Sequence, residues 1–312
     1  MPNAYSPEGM LLFTKDNEES LSCLATLEKA MMQGKILESV ALLCDASMNL
    51  TFKLGSVRAR MEKNEVALTP DGMPAKDIAV ISRVGKAVCF KIIGFERGRD
   101  GEPVALLSRR AAQEEYIKNV FSYLVPGDIL PARVTHLEPF GAFADIGCGV
   151  ISLLSIDCIS VSRISHPKDR FTPGQYIRTV VKSVDRSENR VFLSHKELLG
   201  TWEENACRFT AGQTVTGIVR SIEDYGVFVE LAPNLAGLAE LKEDVSIGQH
   251  VAVYIKSILP ERMKIKLVLI DGFSAESRPI MPIEYFIPDD VTHIDFWQYS
   301  PEDCHKLVES VF

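Results

Sequence analysis

Two stretches of this chain are copies of one another. Gly127 to Ile146 reads GDILPARVTHLEPFGAFADI, and Gly212 to Leu231 reads GQTVTGIVRSIEDYGVFVEL, with a constant separation of 85 residues. Gly127 matches Gly212, Glu138 matches Glu223, Phe140 matches Tyr225, Gly141 matches Gly226, Phe143 matches Phe228 and Asp145 matches Glu230. The ends of the copies agree as well. Gly174-Gln175 corresponds to Gly248-Gln249 and Lys182-Ser183-Val184 to Lys256-Ser257-Ile258, but here the separation has fallen to 74 residues. The second copy has therefore lost 11 residues where the first has the loop Ser160 to Phe171. Such a repeat says more about architecture than any single motif. Each copy reads as strand, strand, strand, variable loop, strand, strand, the order of a small five-stranded OB barrel.

The repeated core carries its own chemistry. Ile129–Leu137 and Ala142–Ile146 have the branched and apolar content of two strands. Residues three apart on a regular strand face opposite sides. A glycine between two aromatics permits a bulge that re-aims one of them. Phe140 and Phe143 then share one face, and Ala142 and Ala144 are left for the core. Burial of both Phe rings is the competing reading. The second copy weighs against it, because Tyr225 fills the first aromatic slot and a Tyr hydroxyl suits a half-exposed stacking position.

These repeats resemble S1 RNA-binding domains, as found in bacterial ribosomal protein S1. The residues that carry the resemblance are Phe140-Gly141-Ala142-Phe143, Gly174-Gln175, and Asp185 to Arg190 followed by Val191-Phe192-Leu193-Ser194-His195-Lys196. The linker Glu197-Leu198-Leu199-Gly200-Thr201-Trp202 is similar to that of S1-like proteins of Firmicutes. The likeness runs from about Gly34 to Leu269 and is strongest in the middle repeat. It implies single-stranded RNA as ligand. Phe140 and Phe143 would stack on bases, Arg190 would be the basic group of the fifth strand, and Asp185 the acid before it. Asp185 to Asn189 also reads as a polar hairpin turn. Where the family pattern has a His after the third strand, this chain has Ser155. The third repeat keeps Tyr225 and Phe228, has Lys264 near the place of Arg190, and has Glu240 at the His position, which would repel phosphate.

Charge sharpens this expectation. The net charge of −8 is unusual for an RNA binder, but it is unevenly placed. Residues 1–120 are neutral, 121–200 carry +1, 201–275 carry −3 and 276–312 carry −6. A nearly neutral middle repeat implies a modest phosphate contribution and reliance on stacking. Seven scattered Cys, an odd number with no Cys-x-x-Cys, point to free thiols in a reducing cytoplasm and to no zinc site. No apolar run is long enough for a membrane span, and Met1 to Ala4 lacks a signal-peptide pattern. No phosphate loop, zinc-protease helix or nucleophile elbow is present, so no catalytic residue, metal or cofactor is expected.

The remaining segments fit around the barrels. Asp16 to Gln33 reads as one amphipathic helix, capped by Asp16 or Asn17, with Leu21, Leu24, Leu27 and Met31 facing a core. Gly34 to Leu107 reads as a degenerate first repeat. Its Leu107-Ser108-Arg109-Arg110 aligns with Leu193-Ser194-His195-Lys196, and Met48, Asn49, Leu50 and Thr51 fall where the aromatic platform should be. A helix capped by Ser108 joins repeats one and two. The capping box Thr201-Trp202-Glu203-Glu204 starts a short helix before repeat three, with Trp202 as an interdomain wedge. Ser300-Pro301-Glu302-Asp303 reads as a helix start, with Leu307, Val308 and Val311 on its apolar face.

The expected fold is all-β dominated. Three tandem OB-fold barrels of the S1 type are joined by short helices, with an N-terminal helix and a small α/β C-terminal extension. The segments are 1–33 (helical), 34–122 (degenerate repeat and linker helix), 123–208 (S1 repeat and linker helix), 209–273 (repeat with a shortened loop) and 274–312 (extension). The expected function is non-catalytic binding of single-stranded mRNA in translation, with the small ribosomal subunit as a partner and no membrane. The alternative is an interaction protein whose barrels dock on the ribosome or another complex.

Overall fold

The computed structural model describes residues 4–69, 72–98, 101–242, 244–273 and 283–312. Strands dominate. In chain order the elements are α1 (Lys15–Ser20), α2 (Leu24–Met32), β1 (Leu37–Val40), β2 (Leu43–Cys44), β3 (Leu50–Leu54), β4 (Val57–Met61), α3 (Asp77–Ile81), β5 (Ala87–Arg97), β6 (Pro103–Ser108) and α4 (Arg109–Asn119). The middle repeat holds β7 (Ile129–Glu138), β8 (Gly141–Asp145), β9 (Ile151–Ser155), β10 (Tyr176–Asp185) and β11 (Arg190–Ser194), followed by α5 (Trp202–Ala206). The third holds β12 (Thr214–Glu223), β13 (Gly226–Ala232), β14 (Leu235–Ala239), β15 (His250–Leu259) and β16 (Lys264–Phe273). A hairpin of β17 (Phe296–Gln298) and β18 (Glu309–Val311) ends the chain.

Repeats two and three are separate closed five-stranded barrels, and both have the same strand order. Repeat one is a six-stranded sheet in the order β1-β5-β6-β4-β3-β2. Only Ala41 and Leu42 separate the two end strands, β1 and β2. The first OB strand is thus broken in two: its first half pairs with β5, its second with β3. Ala41, Phe52, Phe90 and Leu107 fill this sheet's core, together with Leu27 from α2.

Three sequence expectations change. The N-terminal helix is two helices, interrupted at Leu21–Cys23 and begun by Thr14, whose hydroxyl accepts from the Asn17 N–H. Leu21, Leu24, Leu27 and Met31 still pack on repeat one. The bulge that lets Phe140 and Phe143 share a face is not at Gly141. It lies opposite, at Thr135, where the β7–β8 register shifts, and Phe140 belongs to the turn before β8. Gly141 serves close approach instead: a Cβ there would stand 2.5 Å from the Leu154 carbonyl oxygen. The C-terminal extension has no helix among its described residues. Ser300 to Asp303 forms a turn, and the segment that follows becomes β18. Two proton-acceptor-rich acids and a proline suit a turn as well as a helix start. The extension's first residues, 274–282, lie outside the described residues.

The extension straps two barrels together. Tyr285, Ile287, Val291, Ile294 and Phe312 cover Ile129, Val180 and Leu198 of repeat two. Trp297 and Tyr299 join the core of repeat three, where Trp202 is also buried. The loop absent from repeat three is used as a second clamp. Arg170 Nη2 meets Glu230 Oε2 at 2.6 Å, and Arg220, which also holds Glu230 at 2.7 Å, reaches Asp169 at 3.4 Å.

Candidate nucleic-acid interface

The outer face of the middle barrel is built by alternation. Ala142, Ala144, Leu154, Val191 and Leu193 point inward and are buried. Phe143, Leu153 and Phe192 therefore point outward, and their register places them side by side across β8, β9 and β11. Phe140 stands in the turn at one end of this row, 53% exposed, with its carbonyl accepting from the Ile156 N–H at 2.9 Å. Its ring meets that of Phe143 edge-on, with centroids 6.0 Å apart and planes at 89°. A T-shaped pair of this kind is a preferred aromatic geometry, and it leaves the face of an exposed ring open.

The third barrel repeats the arrangement. Tyr225 is 69% exposed, and its ring stands 6.0 Å from that of Phe228 at 90°. Its bulge is also opposite, between Val219 and Ser221.

The other predicted residues surround these pairs. Ser155 lies directly across from Gly141, at the edge of the platform, and its hydroxyl donates to the Asp157 carboxylate. Asp185 organises the β10–β11 turn. Its carboxylate accepts from the Ser187 hydroxyl at 2.6 Å and from the Ser187 and Glu188 N–H groups at 3.0 and 3.2 Å. The Ser187 hydroxyl first, and then these N–H groups, hold that carboxyl below the usual carboxylate range. The turn sets Arg190 opposite Asp185, 67% exposed, with only a long 3.8 Å contact to Glu188. In the third barrel Lys264 is exposed and pairs with Leu259, the counterpart of Asp185. The structure thus brings Phe140, Phe143, Ser155, Asp185 and Arg190 to one barrel and Tyr225, Phe228 and Lys264 to another.

Comparison with known proteins bears on the middle barrel directly: the family model described as S1 RNA binding domain matches residues 123–196. The middle barrel is an S1 domain. A small ribosomal subunit protein bS1 homolog of Bacillus cereus is 32% identical over 226 residues, covering 70% of this chain and 56% of that protein. The bS1 protein of Neisseria meningitidis is 30% identical over 258 residues, covering 77% of this chain and 44% of the relative. A 4-hydroxy-3-methylbut-2-enyl diphosphate reductase of Clostridium tetani is 31% identical over 192 residues, which is 60% of this chain and 30% of that enzyme. The chain spans about half the length of the bS1 relatives it matches.

Two residues on the face of the S1 domain escaped the sequence reading. Phe192 is 38% exposed and extends the row of Phe143 and Leu153 by one strand. It sits in an apolar run, Val191-Phe192-Leu193, that reads as core until the alternation is fixed. His136 was set aside as lying elsewhere. It lies directly opposite Phe143 on β7, exposed, with Nε2 2.7 Å from Glu138. The shift at Thr135 brings it there, and a one-residue bulge leaves no mark in the sequence pattern.

Proposed function

We propose that this chain is a non-catalytic, cytoplasmic protein that binds single-stranded RNA through the aromatic face of its S1 domain and works in translation at the small ribosomal subunit. The observation that carries the reading is the repeated edge-to-face pair, Phe140 with Phe143 and Tyr225 with Phe228, exposed at matching places on two barrels. Exposed aromatic planes beside a cation suit unstacked bases and a charged backbone. Arg190 supplies that cation in the S1 domain, and Lys264 in repeat three. The names of the bS1 relatives supply the ribosomal setting. Repeat three is the weaker RNA site in this reading, because Glu240 lines the same groove as Tyr225. That acid favours a protein partner for repeat three as a second reading.

The test pairs affinity with stability. Each stacked base is worth about 1–3 kcal/mol, so Phe140→Ala should weaken binding of single-stranded RNA several-fold or more. Its denaturant midpoint should stay near that of the parent, because an exposed ring leaves no cavity. Duplex RNA should bind less well than single strands. Unchanged affinity in the folded variant would remove Phe140 from the site, and a collapsed midpoint would assign its ring to the core.

A further inference from the structure

Repeat one lacks the aromatics, yet its equivalent face is not blank. The parallel pair Met61–Leu107 stands where Leu154–Leu193 stands in the S1 domain. Counting outward from these pairs, Met48 and Thr51 take the slots of Phe140 and Phe143, Arg60 takes that of Leu153, Arg58 that of Ile151 and Val104 that of Arg190. The fifth-strand cation has gone, and two arginines have appeared on the neighbouring strand, about 5 Å away.

These side chains line a groove of roughly 680 Å³ formed by Leu42, Thr51, Lys53, Arg58, Arg60, Glu96, Arg97 and Val104, among others. Such a volume lies in the range of ligand clefts, about 300–1,000 Å³. Arg60 is held by Glu62 and Glu96 at 3.1 and 3.2 Å. Lys53, Arg58 and Arg97 are exposed around it. Lys53 and Arg58 stand directly opposite one another on β3 and β4. Like charges in that relation destabilise a sheet. A single exchange of either residue would remove the repulsion, so the pair is retained at a cost to the fold. An anion between the two would turn that cost into binding.

We propose that the groove of repeat one is a second RNA contact of a different kind: a cradle for phosphodiester oxygens, centred on Lys53 and Arg58, with no base stacking. The proposal rests on the RNA-binding reading of the S1 domain and divides the work between barrels. The S1 domain holds bases, and its contribution depends little on salt. Repeat one holds the backbone, and its contribution depends strongly on salt.

The experiment measures affinity of the full chain for a single-stranded RNA of about 20 nucleotides across a range of salt, for the parent, Phe140→Ala, Lys53→Ala/Arg58→Ala and Arg58→Lys. Each backbone contact on a single strand contributes about 0.7 to the slope of log K against log salt. The double variant should lower that slope by about 1.4 while keeping the parent's unfolding midpoint. Arg58→Lys should keep the slope, since it keeps the charge, and Phe140→Ala should weaken binding at every salt with the slope unchanged. A parental slope in the double variant, with Phe140→Ala still weakened, overturns the cradle and leaves the proposed function standing. A parent that binds no RNA overturns both. If the double variant instead loses binding to poly-glutamate and keeps the RNA slope, the groove is a site for acidic peptide and the proposal fails.

Discussion

Phe192 differs from the other aromatics of the S1 domain in its counterparts. The matching place in repeat three is Lys266, paired with Leu238 as Phe192 is with Leu153. In repeat one it is Leu106, paired with Arg60. Only the S1 domain therefore has an aromatic floor across three strands. Phe192→Ala should weaken RNA binding several-fold with little change in the unfolding midpoint, because the ring is 38% exposed. Phe192→Lys should trade stacking for charge and raise the salt slope by about 0.7. Equal affinity for parent and Phe192→Ala in a binding titration would exclude the ring from the site. The residues legible in the sequence were those marked twice: Phe140 with Tyr225, Phe143 with Phe228, Arg190 with Lys264. Phe192 and His136 have no matching aromatic or His in the second copy, where Lys266 and Ser221 stand. A repeat reveals what its copies share and hides what one copy does alone.

Among the elements, the barrels were readable and the clamps between them were not. Strand order followed from the repeat, and the Ser108 and Thr201 caps formed as their motifs required. The loop Ser160 to Phe171 was visible only as surplus length, because docking depends on what lies across a gap in space. It delivers Arg170, 1% exposed, to Glu230, which is fully buried. Removing one partner of a buried pair costs about 3–5 kcal/mol, whereas replacing both by apolar groups is often neutral. Glu230→Ala should therefore lower stability by about that amount in urea unfolding. Arg170→Met/Glu230→Leu should recover most of it, since Arg220 keeps Asp169. A double variant no better than the single would show that the pair is not the source of the loss. The same alignment that equates Asp145 with Glu230 gains meaning here. Asp145 accepts from the Glu8 N–H at 2.7 Å, so the two matching acids each receive a segment from outside their own barrel.

At the scale of the molecule, the chain's start is a wedge between repeat one and the S1 domain. Glu8 accepts from Arg109 Nε at 2.6 Å, from Arg83 at 3.3 Å and from the Cys89 N–H at 3.1 Å. Gly9 and Leu11 donate their N–H groups to Glu38 at 3.0 Å. A fragment beginning near Tyr123 would strip this wedge from Asp145, so RNA binding is best measured on the full chain. Three buried carboxyls meet here, and they differ in protonation. Burial would raise Glu8, but Arg109 and then Arg83 outweigh it and hold it below its usual range. Burial, aided by the charge of Glu8, pushes Glu38 up to about 8 and Asp145 up to about 7. An acid raised by folding gives stability that is complete below its unfolded value and is lost as pH rises through its folded value. His195, lowered to about 4 by burial, acts oppositely, but only as pH falls below its unfolded value of 6.5. Between about pH 6.5 and 8 the carboxyls therefore dominate, with His293, raised by Asp128 and then Asp295, pulling the same way. The urea midpoint should fall across that window. Glu38→Gln, which cannot ionise, should flatten most of the fall, while His293→Asn should remove a smaller part. A Glu38→Gln chain that keeps the parent's full slope would mean that folding takes up its proton somewhere other than this junction.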